Sequence, residues 1–281
     1  SGEIAENTVI PTYLAQPMLV ALEYCIAQTW IAEGVHPTVL TGHSIGEYVV
    51  AILAGIFTLE DGLRLVAARG KLTNDSPGTY GCMVSLRASA RDVQEVINQS
   101  GLAEHVSLAC VNGAKSTVIS GTSDATSSIV TKLKCSSQIL NVKHAFHSPL
   151  MASIASQFQE VLASITMTTP ILSIVSTVTG GSVGKEMATP EYWMRHMLGT
   201  VVYTDAIETL CSNGLQFVLE IGPDLTLTKL GKQISRAWHK KARVESDAET
   251  IKFESTIQHL GAQGLTSSAL NWKVKYNMAD N

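Results

Sequence analysis

The sequence predicts an α/β protein in which a small unit of order β-α-β-β-α-β, residues 82–143, is inserted into a larger domain. Three observations carry that prediction. The 281 residues are 45% hydrophobic and 16% charged, the balance of a globular chain with ample core. Residues 39–55, VLTGHSIGEYVVAILAG, read as a short strand, a sharp turn and an apolar helix. From residue 82 the rhythm changes to short β-branched runs alternating with two helical segments, the order of a ferredoxin-like split βαβ unit.

The first helix is marked by Leu14, Met18, Leu22 and Ile26 at helical spacing, with Trp30 following, Pro17 near the start and Gly34 after the end. An amphipathic helix beginning near Gln16 is expected. Val39 and Leu40 form a strand that ends in Gly42-His43-Ser44-Ile45-Gly46. A serine in so sharp a turn needs small neighbours, because glycine tolerates close backbone approach that a Cβ forbids. Ser44 would stand at the end of a sheet, with the first amides of the next helix aimed at it. Those amides and the helix dipole favour the negative charge that an attacked carbonyl oxygen acquires. An incidental turn stays open on these residues alone: with Gly and Ser each at roughly 7%, G-x-S-x-G arises by chance in about one chain of this length in ten.

Residues 59–72 read as another helix with Leu63, Val66 and Ala67 inward, and on periodicity alone Arg69 is a solvated cation near its C-terminus. Residues 74–81 are turn-rich. Within the inserted unit, strands are expected at 82–86, 106–111, 117–120 and 139–142, and helices at 90–99 and 124–133. His144-Ala145-Phe146-His147-Ser148-Pro149 follows at once. A lone histidine is more often a satisfied structural residue than a catalyst, but two at one strand-to-helix junction stand out. A helix over 148–165, a strand over 172–176, a helix over 190–198 and a buried strand over 217–221 complete the larger domain, residues 1–81 and 144–230. Residues 231–281 read as a linker-like tail, with a charged loop at 235–250 and a mildly amphipathic segment at 257–272 that packs back on the body.

Bulk charge excludes several partners. Lys+Arg 20 against Asp+Glu 24 leaves a net charge of -4, with no nucleic-acid or anionic-membrane footprint. Cys25, Cys82, Cys110, Cys135 and Cys211 form no CxxC, which suits buried thiols in a reducing, cytoplasmic compartment, and no metal site is expected. The longest apolar run, residues 48–57, is too short to span a bilayer.

Taken together, the motifs resemble the acyltransferase domain of modular polyketide and fatty-acid synthases, the malonyl-CoA:acyl-carrier-protein transacylase family. The elements stand in family order: Ala15-Gln16-Pro17, Gly42-His43-Ser44-Ile45-Gly46-Glu47, Leu65-Val66-Ala67-Ala68-Arg69-Gly70, Val111-Asn112-Gly113, His144-Ala145-Phe146-His147-Ser148, Tyr192-Trp193-Met194-Arg195-His196 and Leu219-Glu220-Ile221-Gly222-Pro223. The resemblance implies an α/β-hydrolase-like parallel-sheet core with a ferredoxin-like insert. It also implies that Ser44 attacks the thioester of malonyl-CoA, that His147 takes and returns the proton, and that the malonyl ester passes to the phosphopantetheine thiol of an acyl carrier protein. No bound cofactor is implied, and neighbouring synthase domains are the further partners if the chain belongs to a type I synthase.

By the same resemblance Arg69 grips the substrate's free carboxylate, replacing the solvated-cation reading, because a guanidinium offers two parallel donors to a planar carboxylate. The Ile45 backbone amide would hold the oxyanion. Gln16, His43 and Asn112 would line the site, and the backbone near His196 would orient the imidazole, with no role for the His196 side chain. His144, Phe146 and Ile45 match the form associated with malonyl selection, Phe146 leaving little room for a methyl branch. The family's upstream strand and Gly-Gln-Gly loop, expected to supply a second oxyanion donor, have no counterpart before Thr12. Two other classes of function stand beside malonyl transfer: a serine acyl hydrolase, which Ser44 and His147 would equally serve, and a weakly active module that docks a carrier protein.

Overall fold

A computed structural model describes residues 10–242 and 251–256. Helix α1 (Thr12–Ala32) begins ahead of Gln16, because the Pro11 carbonyl already accepts from the Leu14 and Ala15 amides. Pro17 therefore lies inside the helix, where its fixed φ is helical and only the bond to the Tyr13 carbonyl is forfeited. The buried side is Thr12, Gln16, Val20 and Ala27, while Leu14 and Met18, expected inward, are exposed. A helix that is apolar on all sides does not reveal its buried face through the spacing of its apolar residues.

Strand β1 (Val39–Leu40) turns directly into α2 (Gly46–Leu53), a core helix buried continuously from Glu47 to Ile52. Its Tyr48 ring packs 4.6 Å from the ring of fully buried Trp193. Helix α3 (Leu59–Asp75) is capped by Thr58, whose hydroxyl accepts from the Asp61 amide at 3.0 Å. It runs past the expected end at 72, so the first two residues of the turn-rich loop are helical, and it buries Leu65, Val66, Arg69, Gly70 and Thr73 while Ala67 is exposed. Gly70 is where α1 and α3 touch: a Cβ there would lie 2.9 Å from the Thr12 carbonyl oxygen. That close approach sets Gln16 against Arg69.

The inserted unit comprises β2 (Cys82–Leu86), α4 (Ala90–Ser100), β3 (Val106–Gly113), β4 (Ser116–Gly121), α5 (Ser123–Leu133) and β5 (Ser137–Ile139), with antiparallel strand order β3-β4-β2-β5. Its own core is Val84, Leu86, Val93, Ile97, Val106, Ile119 and Ile129. Strand β5 lies earlier than the expected 139–142, since Ser137, Gln138 and Ile139 pair with Leu86, Ser85 and Val84. Leu140 and Val142 instead pack on a second cluster, formed between the other face of this sheet (Met83, Ala109, Val118) and α8, which draws the chain towards His144.

A 3-10 turn over Pro149–Ile154 leads into α6 (Ala155–Ala163), followed by β6 (Ser173–Val175), β7 (Ser182–Val183), α7 (Pro190–Leu198), α8 (Tyr203–Ser212), β8 (Phe217–Glu220), α9 (Thr226–Ala242) and β9 (Lys252–Ser255). The expected single parallel core is, among the described residues, two short sheets: β1-β6-β7, with β1 and β6 parallel, and the parallel pair β8-β9. Val39 of β1 and Val218 of β8 pack on one apolar cluster, with no ladder between the two strands among the described residues. Strand β8, expected to be buried, begins at exposed Phe217.

Helix α9 replaces the first half of the expected charged loop and crosses the expected tail boundary at 231. Leu227, Leu230, Ile234 and Trp238 recur at helical spacing and pack with Ile251 and Phe253, so the charges occupy only its outer face. The amphipathic segment expected at 257–272 lies outside the described residues.

The turn before α2 gives a direct test of close packing. A Cβ on Gly42 would sit 2.5 Å from the Glu47 amide nitrogen, whereas one on Gly46 meets nothing closer than 3.8 Å. Gly42→Ala should cost about 1–3 kcal/mol by chemical denaturation and Gly46→Ala about 0.5 kcal/mol or less. Equal costs would show that the turn relaxes around a side chain at 42.

Candidate active site

Ser44 and His147, more than a hundred positions apart, meet with Ser44 Oγ 2.6 Å from His147 Nε2. The other ring nitrogen, Nδ1, lies 2.9 Å from the Gly199 carbonyl oxygen. A carbonyl only accepts, so Nδ1 carries the proton and Nε2 turns its lone pair to the Ser44 hydroxyl. Burial, followed by the charge of Arg69, pushes His147 well below the usual imidazole range. A neutral imidazole accepting from a hydroxyl is the arrangement that can activate a serine for attack.

Both residues have backbones in the left-handed region, Ser44 with φ 49° and His147 with φ 58°. Such conformations cost non-glycine residues on the order of 1–3 kcal/mol and persist only where the surroundings hold them. Both carbonyls are held. The Ser44 carbonyl accepts from the Glu47 amide at 2.9 Å and from His196 Nε2 at 2.9 Å. The His147 carbonyl accepts from the Ser107 hydroxyl of β3 at 2.9 Å, tying this turn to the inserted unit.

Arg69 is 2% exposed and has no ion-pair partner among the described residues. Its Nη1 donates to Gln16 Oε1, and Gln16 Nε2 in turn donates to Thr12 Oγ1 at 2.7 Å. Nε and Nη2 are buried without a hydrogen-bond partner among the described residues, as are Tyr48 Oη and His196 Nδ1. The guanidinium carbon stands 5.7 Å from the centre of the Phe146 ring, so one face of the cation is covered by an aromatic wall. A buried cation left unpaired costs several kcal/mol, which a purely structural arginine has no means to offset. Two parallel N–H groups facing no protein acceptor are suited to an anion.

The remaining residues singled out in the sequence divide into two groups. Gln16 belongs to the centre through Arg69. His43 Nε2 lies 2.9 Å from Asn112 Oδ1, and its ring packs edge-on to Tyr203 at 5.5 Å, so this pair bridges the serine turn and the end of β3. Burial pushes His43 below the ordinary imidazole value. Ile45 follows Ser44 at the start of α2, and its amide makes no hydrogen bond among the described residues. His144 faces elsewhere: its Nδ1 lies 2.9 Å from Thr79 Oγ1 and its ring centre 5.2 Å from that of Tyr80, and it reaches the centre only through Phe146, 6.0 Å away.

The His196 side chain, assigned no role from the residues alone, binds the Ser44 carbonyl and packs against Tyr48, Trp193 and His147. Burial holds its pKa down to about 3, so it is a neutral donor. The Gly199 carbonyl is the backbone near His196 that the resemblance expected to orient the imidazole. Ser107 was unmarked, since a single serine leaves no pattern, and the His196 side chain had one signal, its place at the end of the Tyr192-Trp193-Met194-Arg195-His196 motif.

These observations meet a family. The chain matches the acyl transferase domain family over residues 3–260 and belongs to it. It is 37% identical over 225 residues to polyketide synthase GfsB of Streptomyces halstedii and 39% identical over 224 residues to the PKS-NRPS hybrid synthetase acdB of Aspergillus candidus, 78% of this chain in each case. The chain spans only 4% and 9% of the lengths of these two relatives. It superposes on the acyltransferase domain from the second module of the salinomycin polyketide synthase with a TM-score of 0.79 at 32% identity, covering 94% of this chain and 60% of that one. It also superposes on the malonyl-CoA:acyl carrier protein transacylase (FabD) of Xanthomonas oryzae with a TM-score of 0.78 at 26% identity, covering 91% and 80%. The chain is thus an α/β acyltransferase domain of the polyketide synthase and FabD type.

The buried imidazoles make stability depend on pH. His147, His43 and His196 are all held below the ordinary value of 6.5, so between that value and their folded values the unfolded chain binds more protons. Their contribution is complete above about pH 6.5 and is lost as pH falls. The buried carboxyls Glu23, Glu47 and Glu220, held above their ordinary range, act with the opposite sign over the same interval, so the histidine contribution is read by difference. The thermal midpoint of wild type minus that of His196→Asn should fall from pH about 7 to about 5, and a constant difference would contradict the burial of a neutral ring at 196.

Proposed function

We propose that this domain transfers a malonyl group from malonyl-CoA to the phosphopantetheine thiol of an acyl carrier protein through an ester on Ser44. The observation that carries the reading is the buried, unpaired Arg69 guanidinium beside the Ser44–His147 pair. In the first half-reaction His147 Nε2 takes the Ser44 proton as Oγ bonds to the thioester carbonyl. The Ile45 amide donates to the developing oxyanion, and the imidazolium returns its proton to the departing CoA sulfur. In the second half-reaction the carrier thiol attacks the ester, giving its proton to His147, and Ser44 leaves with that proton.

Arg69 Nε and Nη2 bind the free carboxylate of the acyl group, and Gln16 keeps the guanidinium in place. An apolar acyl chain would leave the cation unpaired, which disfavours a lipase-like hydrolase. The Phe146 ring, stacked against Arg69, closes the space beside the substrate α-carbon and favours malonyl over methylmalonyl. One methyl is worth only about 1–3 kcal/mol, so this is a preference rather than an exclusion. His144 supports this wall from behind through its bond to Thr79. The carrier protein and, within a type I synthase, the neighbouring domains are the proposed partners.

Intact-protein mass spectrometry after incubation with malonyl-CoA, methylmalonyl-CoA and acetyl-CoA tests the proposal. Wild type should gain a malonyl adduct and Ser44→Ala none. Arg69→Ala should slow malonyl loading by about 10-fold to 100-fold, the loss of a charge-assisted hydrogen bond, while improving tolerance of acetyl-CoA. Unchanged selectivity would remove Arg69 from the carboxylate role. Phe146→Ser should raise methylmalonyl use, and failure to do so would sink the steric account of that wall.

A further inference from the structure

Glu47 lies three residues after Ser44 and is fully buried. Its neighbours are hydroxyls and amides. Oε1 is 2.6 Å from the Thr177 amide nitrogen, 2.9 Å from Thr177 Oγ1 and 3.1 Å from Ser176 Oγ, and Oε2 is 2.6 Å from Tyr192 Oη. Thr177 Oγ1 is also 2.7 Å from the carbonyl oxygen of Gly42, the residue that opens the serine turn. The carboxyl group therefore joins three pieces of chain: the start of α2, the loop after β6, and α7.

The protons at this junction do not suffice for an ionised carboxylate. The Gly42 carbonyl only accepts, and so does a carboxylate, yet the single Thr177 hydroxyl proton faces both. On the other side, Ser176 Oγ and Tyr192 Oη are 2.6 Å apart, and Tyr192 needs its own proton for Oε2. Ser176 therefore donates to Tyr192, and Tyr192 to Glu47. A proton on Glu47 Oε1 supplies the missing donor between the two acceptors: Oε1 donates to Thr177 Oγ1, which is then free to donate to Gly42, while Oε1 still accepts from the Thr177 amide, and the longer 3.1 Å approach of Ser176 Oγ to Oε1 carries no hydrogen.

The charges around the group agree. Ser176 and Thr177 face it from the loop, Tyr192 from α7, and no lysine, arginine or histidine is paired with it among the described residues. Burial raises the carboxyl above its ordinary value, opposed only in part by the hydrogen bonds from Tyr192 and Thr177. Ionisation would also bring an unpaired charge into the interior beside Tyr192.

We infer that Glu47 is carried as a neutral carboxylic acid and that its proton, relayed through Thr177 to the Gly42 carbonyl, fixes the turn that presents Ser44. Glu47 and Thr177 are positioning residues, acting through the backbone on either side of the nucleophile. This rests on the reading of Ser44 as the nucleophile given above, and it goes beyond that reading by assigning the protonation state and the route of support.

Two measurements on the full chain test it. The first is the carbon-13 spectrum of protein labelled at the glutamate side-chain carboxyl carbon, with the Glu47 resonance assigned by its loss in Glu47→Gln, or by its shift in Thr177→Val should the first variant not fold. The resonance should stand at the protonated position at pH about 7, and an ionised position overturns the inference. The second is the rate at which phenylmethanesulfonyl fluoride labels Ser44, which needs neither malonyl-CoA nor Arg69. Thr177→Val should lower the maximal labelling rate at least about tenfold with little change in the half-saturating concentration, and Thr177→Ser should regain most of it. Labelling of Thr177→Val at the wild-type rate overturns the positioning role. Absence of labelling on wild type would sink the nucleophile reading itself, while the carbon resonance would still decide the state of Glu47.

Discussion

The structure depends on holding one non-glycine residue, Ser44, in a left-handed backbone conformation between β1 and α2. That geometry lifts the hydroxyl away from the helix it precedes and turns it to His147, at a conformational cost that local sequence cannot offset. The offset comes from elsewhere in the chain. His196 of α7 binds the Ser44 carbonyl, Thr177 after β6 binds the Gly42 carbonyl, and the absence of a side chain at Gly42 lets the turn close on the Glu47 amide. Each of these supports lies on an element packed against α2, so the apolar core around Tyr48, Trp193 and Leu65 also serves the turn.

Burial governs the electrostatics of the same region. Imidazoles at 43, 147 and 196 and the guanidinium at 69 lie out of water with little compensating negative charge, and for each of these histidines desolvation is the leading cause of its lowered pKa. The result is a group of neutral donors and acceptors around one permanent cation. Such a site favours an anion arriving from outside, since an anion relieves both the unpaired guanidinium and the positive field. A protein carboxylate near Arg69 would have relieved it in advance, and Gln16 occupies that position with a neutral oxygen.

The inserted unit contributes more than a wall. Ser107 and Asn112 of β3 reach back to the His147 carbonyl and to His43, and β3 is bonded through Val111 and Ala109 to Val201 at the start of α8. The proposed base and nucleophile are thus both tied to the small unit, His147 through Ser107 and the Ser44 turn through His43 and Asn112, while Gly199 and His196 hold them from the large one. Their 2.6 Å hydrogen bond joins two distant segments of the large unit.

Much of this was legible in the residues. The strand-turn-helix around Ser44, helix α7 at residues 190–198, and the alternation of the inserted unit are local matters of period, caps and turn residues. Such signals survive in a single sequence because neighbours along the chain create them. The family motifs placed Ser44, His147 and Arg69 among the candidates, and the structure brings those three together. What lay beyond reach depends on distant packing. The buried face of α1 was misread because that helix is apolar on every side, and α9 was hidden because charges on its outer face mask the Leu227-Leu230-Ile234-Trp238 stripe. On periodicity alone Arg69 looked solvated, since its burial comes from α1 closing over it at Gly70, and the His196 donor, the Gly42 acceptor and the Ser107 tether are contacts between segments that nothing local connects. Chemistry written into residue types can be read along the chain; protonation state, burial and the hold on a strained turn are set only when remote elements remove water and supply partners.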